Sequence, residues 1–214
     1  MRLIMQLRHP VAVSVVAVFF AAGVGVSAQT APLADAMERG DIAAVSSLLK
    51  TAVDVDAPQG DGATALHWAA YLDDSEMTAV LIRADATINV SNHYGATPLG
   101  LASKNGNATI IQQLVNAGAD PNDVLYTVNA GETPLMLAAR SGQSDAVQAL
   151  LNAGASITAR ESWNGQSALM WAAAEGHGAV VETLLERGAD LSARSNSGTT
   201  PLLFAVRKGS LESV

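Results

Sequence analysis

Apolar residues recur along this chain at helical spacing inside short segments, and the segments themselves recur. The pattern is clearest between Gly131 and Asn164. Leu135, Leu137, Ala138 and Ala139 give a first short helix with a small-residue face. Thr133 is placed to cap it, its side-chain oxygen accepting from a backbone N–H that has no intrahelical partner. Pro134 stands at the first helical position, where the missing N–H is not needed. Gly142 ends that helix. A second helix opens at Ser144 or Asp145 and sets Ala146, Val147, Leu150 and Leu151 along one stripe. Gly154 suits the left-handed position past its end, and Ile157 is predicted to anchor the following loop. Neither helix is long enough to be stable alone in water, so each must bury its stripe against a neighbour.

The neighbour is another copy of the same unit. Gly62-Ala63-Thr64-Ala65-Leu66, Gly95-Ala96-Thr97-Pro98-Leu99, Gly131-Glu132-Thr133-Pro134-Leu135, Gly165-Gln166-Ser167-Ala168-Leu169 and Gly198-Thr199-Thr200-Pro201-Leu202 repeat one phrase. Their hydroxyl residues are separated by 33, 36, 34 and 33 residues. A fixed period of this size predicts stacked supersecondary units with an extended surface, and speaks for binding over a catalytic pocket.

The residues of the fourth copy are Leu169-Met170-Trp171-Ala172-Ala173-Ala174-Glu175-Gly176-His177, then Val180-Val181, Leu184-Leu185 and Arg187-Gly188-Ala189-Asp190. Together with Gly-x-Thr-Pro-Leu, this grammar resembles the ankyrin repeat. Thr64-Ala65-Leu66-His67-Trp68-Ala69-Ala70 matches that family's Thr-Pro-Leu-His-x-Ala signature with one substitution. The resemblance covers roughly residues 31–214. It implies an all-α solenoid of antiparallel helix pairs, with hairpin-like fingers at right angles and a concave face built from fingers and inner helices. It also implies a structural hydrogen-bonding role for His67, and the same for His177 at the helix junction. His93, beside Tyr94 in a finger, is expected to be a contact residue.

Contact positions that the resemblance implies are Tyr71 and Leu72; His93, Tyr94 and Ala96; Ser103 and Lys104; Asn129, Ala130 and Glu132; Arg140 and Ser141; Trp163, Asn164 and Gln166; Ala174 and Glu175; Asn196, Ser197 and Thr199; and Arg207 and Lys208. Trp163, in a finger before Asn164-Gly165, is the strongest single candidate for an anchor, since tryptophan is enriched at binding hot spots. Trp68, Trp171 and Phe204 share a repeat position with Leu101 and Leu137. That shared phase argues for filling between helices over stacking on a ligand.

Three departures from the pattern have consequences. Asp85 replaces the left-handed glycine of the other copies, at a cost of about 1 kcal/mol. Asp73-Asp74 replaces the Gly-His junction. The stretch from Gly118 to Gly131 is longer than its counterparts and carries Val124, Leu125 and Tyr126. Those apolar groups either tuck against the stack or extend a finger that offers Leu125 and Tyr126 to a partner.

The segments divide as a leader over 1–28, a degenerate capping repeat over 29–60, and repeats near 61–94, 95–130, 131–164, 165–197 and 198–214. The last is incomplete and no polar capping repeat follows, so the sequence reads as a fragment of a longer protein or a truncated gene model, and its last helix pair is expected to fray and expose apolar surface. Arg2, Arg8 and His9 precede the apolar run Val11–Val26, and Val26-Ser27-Ala28 offers small residues to a signal peptidase. This is the layout of a secretory signal cleaved after Ala28. The alternative, a retained anchor, is disfavoured because the run is shorter than the ~20 residues that span a bilayer. The mature chain is therefore expected in a periplasm or outside the cell.

The formal net charge is −8, and loss of Arg2 and Arg8 with the leader takes it to about −10. That sign disfavours nucleic acid and anionic lipid. There is no cysteine, hence no disulfide framework or Cys-bound zinc. Asp54–Asp61 lacks the glycine and glutamate that an EF-hand loop needs, Gln59 and Ala65 standing there. No phosphate loop, nucleophile elbow or His-Glu-x-x-His motif occurs. The expectation is a monomeric, non-enzymatic module with no cofactor and no metal, binding a protein partner. The alternatives are a recognition arm of a longer enzyme or receptor, and an envelope scaffold.

Overall fold

The computed structural model describes residues 30–124 and 131–210. Within them the chain forms eleven helices: α1 (Pro32–Glu38), α2 (Ile42–Leu48), α3 (Ala65–Tyr71), α4 (Ser75–Arg83), α5 (Pro98–Asn105), α6 (Ala108–Asn116), α7 (Pro134–Ser141), α8 (Ser144–Asn152), α9 (Ala168–Glu175), α10 (Gly178–Glu186) and α11 (Pro201–Lys208). None is long and apolar enough to cross a membrane. The leader predicted over 1–28 and the candidates Leu125, Tyr126, Asn129 and Ala130 lie outside the described residues.

Helices of one layer pack on their counterparts in the next copy. The inner layer runs α1, α3, α5, α7, α9, α11, and α4, α6, α8 and α10 follow one another outside it. The small-residue face explains this order. Ala69, Ala70, Ala102, Ala138, Ala139, Ala172 and Ala173 are buried where inner helices approach, and such short side chains let the backbones come close. The outer helices supply bulk: Ile110, Ile111, Leu114, Val147, Leu150, Val180 and Leu184 fill the space between layers. Ile157 packs partly buried against this core, as do Trp68, Trp171 and Phe204.

The starts and stops follow from local chemistry. Thr97, Thr133, Ser167 and Thr200 cap their helices by accepting from the N–H of Gly100, Met136, Met170 and Leu203. Gly142 ends α7 at φ 80°, and a side-chain carbon there would lie 2.7 Å from the His177 ring. The position therefore demands glycine twice, for its backbone and for the passage of the next copy. Side-chain amides tie successive loops together. Asn89 donates to Gly118 and accepts from the Asp120 N–H, and Asn122 does the same for Gly154 and Ser156. At the far end the apolar stripe is uncovered, with Leu191, Leu202, Leu203 and Val206 exposed.

Asp85 and Asp73 hold the left-handed conformation, at φ 60° and 64°. Replacing Asp85 by glycine is expected to raise unfolding stability by about 0.5–1 kcal/mol, because the Cβ clash disappears and no side-chain bond is given up. Asp73→Gly should gain less, since Asn107 donates to the Asp73 carboxylate at 2.9 Å. Urea unfolding of the two variants checks the order. A loss of stability in Asp85→Gly would show that the left-handed aspartate carries no strain.

Candidate functional site

The candidate contact residues lie in the last turns of the inner helices and in the fingers that precede them. The second and last fingers are tight turns closed by backbone bonds. In the second, the Asn92 N–H donates to Ala96 O at 3.0 Å and the Gly95 N–H to Asn92 O at 2.9 Å. In the last, the Ser195 N–H donates to Thr199 O and the Gly198 N–H to Ser195 O, both at 2.9 Å. Neighbouring fingers are joined as well: the His93 N–H donates to Asp61 O at 2.8 Å, and the Asn196 N–H to Asn164 O at 2.7 Å. These two pairs of fingers are thus held side by side and carry little loop entropy to lose on binding.

His67 shows how a helix supports a finger. Its Nε2 lies 3.0 Å from Ala96 O, and a carbonyl only accepts, so Nε2 bears the proton. Nδ1 then accepts from the Thr64 N–H at 3.1 Å and from its hydroxyl at 2.9 Å. The ring is 2% exposed. Burial lowers its pKa below the ordinary 6.5, partly opposed by the bond to Ala96 and by the charge of Asp61. This is the structural role that the resemblance implies. His177 is held likewise, its Nε2 donating to Arg140 O at 3.0 Å.

The fourth finger uses a buried carboxylate. Glu161, 4% exposed, accepts from the N–H groups of Trp163 at 2.6 Å, Asn164 at 2.9 Å and Gln166 at 2.9 Å. In the second finger Asn92 does a similar task, accepting from Tyr94 and Ala96 at 3.0 Å. The fourth finger has one residue more between this position and its glycine (Glu161 to Gly165, against Asn92 to Gly95), and the longer side chain covers the longer turn. Glu161 is a finger-ordering residue that sequence reasoning missed. The visible signal was that extra residue combined with glutamate where a finger elsewhere has asparagine.

The candidate contact residues divide. Trp163 is 71% exposed and Tyr94 68%. Tyr71, Leu72, His93, Lys104, Asn164, Asn196, Arg207 and Lys208 are also exposed, while Gln166 and Glu175 are half-buried. Two positions differ from the expectation. Ser103 is fully buried, its hydroxyl donating to Leu99 O at 2.7 Å. Glu132 is buried too, and its carboxylate holds the Arg140 guanidinium at 3.2 Å. Arg140 in turn lies over the Trp171 ring, 5.1 Å from its centroid. The Trp171 indole N–H is buried and has no acceptor among the described residues. Trp163, Asn164, Trp171, Glu132 and Glu161 line a small notch between two fingers. At the other end of the face, the Trp68 indole donates to Gln59 at 2.6 Å and meets Tyr71 edge to face at 5.6 Å.

The family described as "Ankyrin repeats (3 copies)" matches residues 33–125, 73–161, 123–195 and 159–214. This chain belongs to the ankyrin repeat family. Its repeats form a protein-interaction module and imply a protein partner. Among its relatives, "Ankyrin repeat and SOCS box protein 3" of Bos taurus is 36% identical over 90 residues, covering 41% of this chain and 17% of the relative. "Palmitoyltransferase Hip14" of Drosophila melanogaster is 34% identical over 87 residues, covering 40% and 14%. "Palmitoyltransferase AKR1" of Candida glabrata is 37% identical over 71 residues, covering 33% and 9%. The chain thus spans less than a fifth of the length of each of these relatives.

Proposed function

We propose that this ankyrin chain is a non-enzymatic, monomeric module that is exported from the cytoplasm and binds a partner protein through its concave face. The observation that carries the binding face is Trp163: a tryptophan left largely in water, on a finger whose backbone is pinned by a buried carboxylate. A rigid, solvent-facing aromatic group is the usual anchor of an interface. Tyr71, Leu72 and Tyr94 extend exposed apolar area along the same face. Export is supported by the basic start, the apolar run Val11–Val26 and the small residues before Gln29.

Photo-crosslinking in the cells that make the protein tests this reading. With p-benzoylphenylalanine in place of Trp163, the chain recovered outside the cytoplasm, beginning at Gln29, should carry one discrete crosslinked protein. The same photoreactive residue in place of Asn116, exposed at the end of outer helix α6, should give none. Equal products from both positions, or none from Trp163, would reject the concave face. A chain retained inside the cell with its leader would reject export. A second reading, the recognition arm of a longer enzyme or receptor, is supported by the two palmitoyltransferases, which align over 14% and 9% of their lengths.

A further inference from the structure

Charge in this acidic chain is sorted by layer. The outer helices α4, α6, α8 and α10 carry Glu76, Asp145, Glu182 and Glu186 against Arg83 alone. The inner helices α5, α7, α9 and α11 carry the reverse, Lys104, Arg140, Arg207 and Lys208 against Glu175. Acidic side chains return to the inner layer at α1, where Asp35 and Glu38 both accept from Gln59. Lys104, Arg140 and Arg207 each follow their helix's N-cap threonine by seven residues, so they occupy one register on the stack. Arg140 already holds Glu132, and Lys208 lies 3.6 Å from Glu175 in an exposed pair. Lys104 and Arg207 are exposed and have no ion-pair partner among the described residues.

We infer that the concave face from α5 to α11 receives a short acidic segment of the partner protein, its carboxylates meeting Lys104, Arg140 and Arg207 while an apolar side chain rests on Trp163. This rests on the protein-binding reading above and names the chemistry of the partner. Screening decides between local and global charge. At physiological salt the field of a surface charge fades within about 8 Å, so a segment seated on the inner layer feels the basic row and not the acidic outer helices. A long polyanion such as duplex DNA extends past the row and meets the net −8 of the whole chain. The two parts of the surface are continuous. The notch lined by Glu132, Glu161, Trp163, Asn164 and Trp171 joins the fourth finger to Arg140, whose guanidinium lies on the Trp171 ring; its two carboxylates are already engaged, Glu132 by Arg140 and Glu161 by three backbone N–H groups. Four inner helices at roughly 8–10 Å spacing span about 25–30 Å, the reach of some eight or nine extended residues at about 3.3 Å each.

The test uses a fluorescein-labelled peptide of about twelve residues alternating glutamate with leucine, a glutamine-for-glutamate counterpart, and a DNA duplex about twice as long as the basic row, titrated with the whole chain by anisotropy at about 150 mM salt. The glutamate peptide should bind about tenfold more tightly than the glutamine one. Lys104→Gln with Arg207→Gln should weaken it about fivefold or more. Lys50→Gln, an exposed cation after α2, should change nothing. Both sites are surface positions, and an unchanged circular dichroism spectrum shows that the double variant folds. Equal binding of the two peptides, no effect of the double variant, or no binding up to about 1 mM overturns the inference. Tighter binding of the duplex through the same two residues also overturns it. A crosslink from position 163 combined with failure of the peptide leaves the binding face standing and removes only its acidic partner.

Discussion

His67→Ala is expected to lower the unfolding free energy by about 3–5 kcal/mol, measured by urea unfolding. Two costs combine. The ring is buried, so truncation leaves a cavity. It also bridges two parts of the chain, from the Thr64 N–H to Ala96 O, the latter twenty-nine residues beyond the histidine itself, and both groups lose their partner. The pH profile gives a second readout. In the unfolded chain the imidazole takes a proton near its ordinary 6.5, while in the fold burial lowers that pKa. Below about pH 6.5 the unfolded state therefore binds a proton that the folded state refuses, and stability falls as pH falls. Above that pH the contribution is complete. The urea midpoint should be level above about pH 7.5 and decline from 6.5 toward 5. His67→Gln should flatten that decline. If the decline keeps its slope in the glutamine variant, His67 is not its source.

Much of this fold was legible because the forces that make it are local and repeated. A threonine followed by proline reads as a helix start in three copies, a hydroxyl residue followed by alanine stands in the other two, and five copies in phase leave no other period. The left-handed positions were legible from glycine, and even the exceptions at Asp73 and Asp85 keep the conformation. The shared phase of Trp68, Trp171 and Phe204 with leucine identified packing between helices. Legibility ended where a side chain's partner lies outside the repeated phrase. Glu132 stands at a position that usually faces a partner, yet Arg140 one helix turn beyond Leu137 draws it inward. That choice depends on Trp171 from the next copy, which supplies the face beneath the guanidinium. Ser103 was misplaced for the opposite reason, because its hydroxyl is satisfied within its own helix and leaves no need of water.

Glu161→Ala is expected to loosen the fourth finger and cost about 2–3 kcal/mol, since three backbone N–H groups lose a charged acceptor in a buried site. Hydrogen exchange locates the effect. The amides of Trp163, Asn164 and Gln166 should lose protection, while those of α7 and α8 keep theirs. Glu161→Gln should fall between the two, because its amide keeps one acceptor oxygen. Glu161→Asp should resemble alanine, because a side chain shorter by one methylene does not reach around a turn that has one residue more than the second finger. The partner should be lost together with the protection, although Trp163 itself is untouched. Binding in this view depends on a finger ordered before the partner arrives, so that little entropy remains to be removed at contact. Two results separate positioning from contact. Loss of binding with full amide protection would make Glu161 a direct contact, and loss of protection with full binding would show that Trp163 works as well on a mobile loop as on a fixed one.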